Sequence, residues 1–388
     1  MLRLIPEDGE LRGSIRKRDG CWVFVLDLGT DHATGARRQL YRRGFKTKGQ
    51  AERALSEALS EIHRGKFVRP TNGALSDYLI GWLESRRADL RPTTLYGYEK
   101  IVTKRIVPTI GHVKLSELDA VTLEAWYTQL LTIGGSNGGR LSAKTVANIA
   151  GVLSAALSDA VRLKLLRHNP TADARLPRRE AREMTAWTEG EASSFLDSVR
   201  GERLYPLWRV VLATGLRRGE LCGLRWSDVD LESGRLEVAI TRVVAEEVVI
   251  GSPKTKAGAR LVALDAGTVA ALAAWRRRQA EERLAAGPAW TDHGVVFVDE
   301  LGVPPHPETI TRWWDEAVTR TAVRRIRLHD ARHTAATLAL RAGVPLKVVT
   351  QRLGHADVAV TMRVYQHVTA QDDRAAAEAL GRALGDVL

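Results

Sequence analysis

Cysteine is almost missing from this 388-residue sequence: only Cys21 and Cys222 occur, 201 positions apart and in no metal-ligand spacing. That argues against a disulfide-stapled fold and a Cys-ligated zinc site. Both are expected to be small buried residues of a protein kept in a reducing compartment. No apolar run follows the first basic residues, so no secretory leader is expected. No uninterrupted apolar segment reaches the length needed to cross a bilayer. Internal repeats and polar low-complexity tracts are also lacking. The expectation is a cytoplasmic protein with no membrane partner.

Negative charge is in the minority. Fifty-eight Lys and Arg against 46 Asp and Glu give +12, with an isoelectric point near 9.9. Residues 1–66 hold 14 basic and nine acidic residues, residues 67–170 hold 13 and eight, and the remaining 218 carry only +2. Such an excess favours a polyanionic partner through counterion release. The first 170 residues are therefore expected to do the gripping, while the rest acts through specific residues. The length exceeds what one core usually accommodates, which suggests two or three domains.

Residues 11–44 read as strands. Trp22, Phe24 and Leu26 alternate with Val23, Val25 and Asp27, and Asp19-Gly20 and Thr34-Gly35 are hairpin signals. A helix should follow from Thr47, with Gln50 completing a capping box and Leu55, Leu59 and Ile62 forming its apolar stripe. Arg37, Arg38, Arg42 and Arg43 flank the last strand, which suits either a strand face laid into a DNA groove or a solvated, charge-protected edge. A linker at Pro70, Asn72 and Gly73 precedes a helical stretch. Leu79, Trp82 and Leu83, then Leu95 to Ile106, then Val121 to Leu131, carry its apolar positions. A Gly-rich loop at 134–139 leads to a long helix from Ser142 to Leu166, stopped by Asn169-Pro170. Ala172 to Glu183 reads as an interdomain linker. Helices Glu189–Val199 and Leu204–Thr214 follow, then strand-like runs Arg235–Val244, Val248–Ile250 and Arg260–Ala263, and a short strand at Val295–Val298 among further helices.

Four segments of the last part carry chemistry. In Thr214-Gly215-Leu216-Arg217-Arg218-Gly219-Glu220, Gly215 ends one helix and Arg217 opens the next, where a guanidinium can fork onto a phosphate. Taken alone, a solvated Arg-Glu helix face is the favoured reading. Ser252-Pro253-Lys254-Thr255-Lys256 reads as a hairpin tip, from which an ammonium can protonate a leaving oxygen. In Leu328-His329-Asp330-Ala331-Arg332-His333-Thr334, His329 and Arg332 share a helix face; His329 and His333 have a zinc-pair spacing but lack the accompanying Glu and any nearby Cys. In Leu353-Gly354-His355-Ala356-Asp357, continuing to Tyr365, Gly354 closes a helix begun at Pro345 and Asp357 can cap the next. Val344 to Tyr365 also scans as a helix-turn-helix.

Together, T-G-L-R-x-x-E, P-K-T-K, H-D-x-R-H-T, and L-G-H with T-x-x-x-Y ending ten residues after the His resemble the tyrosine recombinases, the phage integrase family, in order and spacing. The resemblance implies an α+β, mainly helical protein in three parts. Residues 1–66 would be an arm-type DNA-binding module of three strands and a helix, 73–170 an all-helical core-DNA-binding domain, and 184–388 a mixed α/β catalytic domain. It makes Arg217 and Arg332 the pair holding the scissile phosphate's non-bridging oxygens, Lys254 the general acid, His329 a proton mover, His355 a further phosphate donor and Tyr365 the nucleophile. Lys256 competes with Lys254 for its role. Glu220 and Asp330 fall on positions better read as supports, and Ala331 stands where the family usually has a larger aliphatic residue. The implied function is site-specific recombination through a covalent 3′-phosphotyrosine, without cofactor or metal. The implied partners are double-stranded DNA attachment sites, a homo-tetramer assembled on DNA, and accessory DNA-bending or directionality proteins, with a nucleoid-associated location.

Two other readings stand beside this one. A topoisomerase would nick and reseal one duplex with the same residues. A non-catalytic helix-turn-helix regulator would leave Arg217, Lys254 and His329 unexplained. Ala375, Ala376, Leu380, Leu384 and Leu388 form an apolar stripe beyond the tyrosine, suited to docking on a neighbouring subunit or on the catalytic domain itself.

Overall fold

A computed structural model describes residues 13–30, 35, 37–63, 73–135, 138–178, 185–245, 247–251, 258–355, 357, 358 and 362. Lys254, Lys256, Tyr365 and the stripe from Ala375 to Leu388 lie outside the described residues. Two compact units emerge, residues 1–90 with 97–180 and residues 91–96 with 181–388. No helix among the described residues is long and apolar enough to cross a membrane.

In the first unit, β1 (Gly13–Arg18), β2 (Cys21–Thr30) and β3 (Arg37–Phe45) form an antiparallel sheet in that order. Asp19 and Gly20 turn the first hairpin with φ of 48° and 77°, the positive pair a two-residue primed turn requires. Cys21 opens β2 beside this turn, opposite Arg18, and is exposed rather than buried as expected. Phe24 and Leu26 from β2 and Leu40 from β3 bury against Ala58 and Ile62 of α1 (Lys48–His63). The capping box is formed: Gln50 N–H donates to Thr47 Oγ1 at 3.3 Å, and Thr47 N–H to Gln50 Oε1 at 3.4 Å.

The four arginines lie within β3 rather than beside it. Strand alternation puts Arg42, opposite Phe24, on the face of Leu40, and Arg43 with Gln39 and Tyr41 on the other. Arg42 and Arg43 thus leave the sheet on opposite faces. Arg37 is tied to Asp27 at 2.6 Å, and the side chain of Arg38 lies outside what is described.

Helices α2 (Leu75–Arg86), α3 (Pro92–Ile101), α4 (Val107–Ile110), α5 (Ala120–Ile133) and α6 (Ala143–Arg162) follow, with a π turn at Val102–Ile106. Leu79, Trp82 and Leu83 are buried, as their spacing predicts. The Trp82 indole N–H donates to Asp159 at 2.8 Å and the Tyr78 hydroxyl to the Ala156 carbonyl at 2.6 Å, fastening α2 to α6. Helix α6 stops four residues before the expected Leu166: Lys164 adopts φ 58°, and the Leu165 N–H turns back to the Ala160 carbonyl at 2.8 Å. Asn169 caps a separate 3₁₀ turn at Pro170–Ala172 instead.

The second unit is built around α8 (Tyr205–Thr214), whose Leu207, Trp208, Val210 and Val211 are buried. Trp187, Phe195, Trp208 and Trp314 cluster beside it with ring centroids 5.0–5.5 Å apart. The other helices are α7 (Glu189–Ser198), α9 (Arg218–Gly223), α10 (Ala266–Ala286), α11 (Pro307–Thr319), α12 (Leu328–Arg341) and α13 (Leu346–Leu353). The expected single strand from Arg235 to Val244 is two, β5 (Arg235–Val238) and β6 (Thr241–Val244), in different sheets. The break has a steric cause. Helix α9 packs so closely that a Cβ on Gly223 would come 2.9 Å from the Ile240 carbonyl oxygen. β5 lies between β4 (Val229–Asp230) and β8 (Arg260–Ala263), while β6 pairs with β7 (Val248–Gly251). β7 and β8 belong to different sheets; Ser252 to Lys256, expected at a hairpin tip, lies outside the described residues. The strand expected at Val295–Val298 is a single bridge from Val295 to Arg225.

Candidate active site

Gly215 ends α8 in the left-handed region, φ 64°, and Arg217 is the N-cap of α9, as the sequence predicts. A buried carboxylate fixes Arg217. Glu220, 2% exposed, accepts from the Arg217 backbone N–H at 2.9 Å and from Nη1 at 2.8 Å. This is no solvated Arg-Glu face: only Arg217 reaches outward, its side chain 42% exposed. Its Nη2 donates to the Gly354 carbonyl at 2.9 Å.

Arg332 comes from the first turns of α12 and is 3% exposed. Its Nη1 donates to the Gly215 carbonyl at 2.6 Å and its Nη2 to the Leu353 carbonyl at 2.5 Å. The two motif arginines therefore converge on one place, the end of α13. That helix closes at Gly354 with φ 65°, and His355 follows directly. His329 stands in the first turn of α12 with its ring edge-on to His333, centroids 5.0 Å apart. Asp330 pairs with Arg327 at 2.7 Å and closes a capping box at the start of α12, a supporting part.

Among the described residues, Arg217, Arg260 and Arg332 gather here around one buried carboxylate, Glu220. Burial, then the neighbouring Arg217 cation, pulls the Arg332 guanidinium down to about 9. Burial, then Arg332 and Arg217, pushes the His355 imidazole down to about 4; burial, then His329, does the same to His333. His329 is lowered by burial and then by Arg332. Glu220 is the exception. Burial would raise its carboxyl, but hydrogen bonds and charge from Arg260, then Arg217, hold it below the usual range. Two guanidiniums gathered with these imidazoles, Arg217 reaching outward, suit an anion.

Comparison with known proteins accords with this arrangement. Residues 185–372 match the phage integrase family, residues 14–62 an arm DNA-binding domain, and residues 74–131 the N-terminal SAM-like domain of phage integrases. The chain belongs to the phage integrase family. It is a tyrosine-type site-specific recombinase, an enzyme of DNA strand breakage and rejoining. A tyrosine recombinase XerC-like protein from Caldanaerobacter subterraneus subsp. tengcongensis is 29% identical over 367 residues, 88% of this chain and 92% of that protein. The fold is similar to that of the Tn1549 transposon integrase solved with transposon right-end DNA, with a TM-score of 0.66 at 21% identity over 79% of this chain and 99% of that one. It is also similar to a lambda integrase solved as a tetramer on a Holliday junction, with a TM-score of 0.58 at 17% identity over 91% and 94% of the two chains.

Of the six residues read from the integrase motifs, the structure brings Arg217, Arg332, His329 and His355 into one charged cluster, while Lys254 and Tyr365 lie outside the described residues. Sequence reasoning missed Arg260 and Arg352. Arg260 opens β8 with its side chain 7% exposed and binds Glu220. Arg352 donates to the Ala213 carbonyl at 2.9 Å. An arginine opening a short strand is ordinarily solvent-facing, so nothing local marks Arg260; only its place opposite Glu220 does.

Proposed function

We propose that the enzyme cleaves each strand by attack of the Tyr365 phenolic oxygen on a scissile phosphate held by Arg217, Arg332 and His355. The new bond is Tyr365 O–P and the broken one P–O5′. Lys254 supplies the proton to the departing 5′ oxygen, and His329 takes the phenolic proton. Negative charge grows on the non-bridging oxygens during attack, and two guanidiniums with an imidazole meet it. A tyrosine hydroxyl, with pKa about 10, is a weak nucleophile at neutral pH; the same cations favour its phenolate. The phosphotyrosine keeps the energy of the broken ester. A 5′ hydroxyl from another duplex can therefore displace Tyr365 without ATP, exchanging strands rather than hydrolysing them.

The observation that carries this reading is the convergence of Arg217 and Arg332 on the turn at Leu353 and Gly354, next to His355. The helix-turn-helix alternative gives no reason for two arginines from distant segments to seize that turn. Residues 1–66 would bind distal arm sites, 73–170 the core site, and 184–388 perform the chemistry, on attachment-site DNA at the nucleoid. A tetramer is supported by the likeness to the lambda integrase assembled on a Holliday junction, with accessory bending or directionality proteins as further partners.

The test is a nicked suicide substrate, from which a cleaved strand end diffuses away. The wild type should accumulate a slow-migrating covalent adduct, and Tyr365→Phe should form none while keeping site binding within about twofold, because phosphate contacts dominate affinity. An adduct of equal yield with Tyr365→Phe would sink the assignment.

A further inference from the structure

The last turn of α13 offers three consecutive carbonyls, and each is taken by a different arginine. Arg260 Nε donates to Arg352 O at 2.6 Å, Arg332 Nη2 to Leu353 O at 2.5 Å, and Arg217 Nη2 to Gly354 O at 2.9 Å. Carbonyls at a helix end lack intrahelical partners and carry the negative pole of the helix, so they attract cations. Two of the three arginines have a proposed phosphate role. Arg260 has none, and its donors are directed inward. Nη1 reaches Glu220 Oε1 at 3.2 Å and Gly258 O at 2.9 Å, and Nη2 reaches Glu220 Oε2 at 3.0 Å.

We propose that Arg260 is a positioning residue for strand cleavage: it fixes in one frame the carboxylate that aims Arg217 and the helix end from which His355 emerges. This rests on the reading of Arg217 and His355 as groups that hold the scissile phosphate. The geometry gives the reason. Each oxygen of Glu220 accepts from Arg217 on one side and from Arg260 on the other. A carboxylate turns easily about its last torsion. Without the Arg260 fork it loses two of these four hydrogen bonds, and it can turn together with the guanidinium of Arg217. The loss of Arg260 also releases the Arg352 carbonyl, two residues before the one Arg217 holds, so the turn and the arginine shift together.

A buried ion pair is a poor way to gain stability alone, since apolar residues of similar shape often do as well. Its use here is directional. Lysine cannot take over, because one ammonium lacks the planar fork needed to engage both carboxylate oxygens and two diverging carbonyls.

The experiment compares Arg260→Lys with wild type in single-turnover cleavage of substrates carrying sulfur in place of one non-bridging oxygen of the scissile phosphate, as separate Rp and Sp diastereomers. A correctly aimed Arg217 distinguishes the two oxygens, so the wild type cleaves the diastereomers at different rates. Both rates are read on one preparation, so partial unfolding cancels from their ratio. Arg260→Lys should cleave the all-oxygen substrate about 10- to 100-fold slower, the loss a misplacement of about 1 Å produces. Its Rp/Sp ratio should move at least about threefold towards that of Arg217→Lys. A ratio that stays at the wild-type value, whatever the rate, would overturn the proposal and leave Arg260 a packing residue. Should Arg260→Lys yield no cleaving protein, Arg260→Gln, which keeps neutral donors, reads the same ratio. An adduct that persists in Tyr365→Phe would instead mark failure of the underlying reading, before any ratio is measured.

Discussion

Replacing Gly215 by alanine tests the joint between the two motif arginines. Gly215 sits at φ 64°, and a Cβ there would lie 2.6 Å from Leu353 Cδ2 and 3.3 Å from Ala335 Cβ. The left-handed backbone costs a residue with a Cβ about 1–2 kcal/mol. Leu353 is 2% exposed and packed with Ala336, Leu340 and Val349, so its methyl cannot swing into open space. Forcing one carbon into such packing costs about 1–3 kcal/mol. The two together give roughly 2–5 kcal/mol, which for a unit of this size lowers the melting temperature by roughly 4–20 °C.

The catalytic effect should be larger than the loss of fold alone explains. Gly215 O and Leu353 O are the two acceptors that set the Arg332 guanidinium. Moving both should slow single-turnover cleavage by about 10- to 100-fold in protein that remains folded at 25 °C. Gly190 is the control. It lies in α7 with no atom within 4 Å of a built Cβ, so Gly190→Ala should melt at or slightly above the wild-type temperature. Circular dichroism melts and adduct formation on the suicide substrate are the assays. A Gly215→Ala protein that melts within about 2 °C of wild type would refute the steric argument.

Cleavage should proceed undiminished in excess EDTA, since guanidinium and imidazole groups meet the phosphate charge; activity lost in EDTA and restored by magnesium would point to another mechanism. Deleting residues 1–66 should weaken binding to distal sites and spare cleavage of a core-site substrate, and loss of core cleavage in folded protein would assign that module to the catalytic unit. The His333 and His355 imidazoles, held down to about 4 in the folded protein, contribute stability above their unfolded value near 6.5 that is lost as pH falls towards 4. A phosphate beside them should raise both, so DNA binding at a pH of about 5.5 should take up protons, seen in calorimetry as a heat that changes with buffer ionisation enthalpy; a buffer-independent heat would count against the phosphate contacts.

What was legible in the sequence was set by local chemistry. Gly215 before Arg217, Gly354 before His355, and the Thr47–Gln50 box each announce a helix boundary through residues within four positions, and each boundary falls where expected. What was hidden depends on partners far along the chain. Arg235 to Val244 reads as one β-rich run, and only the approach of α9 divides it between two sheets. Helix α6 ends early through a left-handed lysine, which no propensity signals. Glu220 read as half of an exposed pair because its second cation, Arg260, lies 40 positions away. Cys21 read as buried from composition, whereas a turn places it at the sheet's rim.

The way Arg332 is held bears on how the site stays ready for a phosphate. A carboxylate fixing this guanidinium would offset more of its positive charge. Carbonyls orient it equally well through hydrogen bonds at 2.5 and 2.6 Å while contributing only partial negative charge. Among the described residues, the buried carboxylate in contact with a motif arginine is Glu220, shared between Arg217 and Arg260. Burial, then the Arg217 cation, disfavours the charge of Arg332, and Glu220 offsets this only in part. The folded chain bears that cost in advance, so that, in the proposed mechanism, a phosphate would meet an arginine already oriented. Catalysis by fixed charges depends on such prior orientation, because the cost of arranging the dipoles is met in folding and not during the reaction.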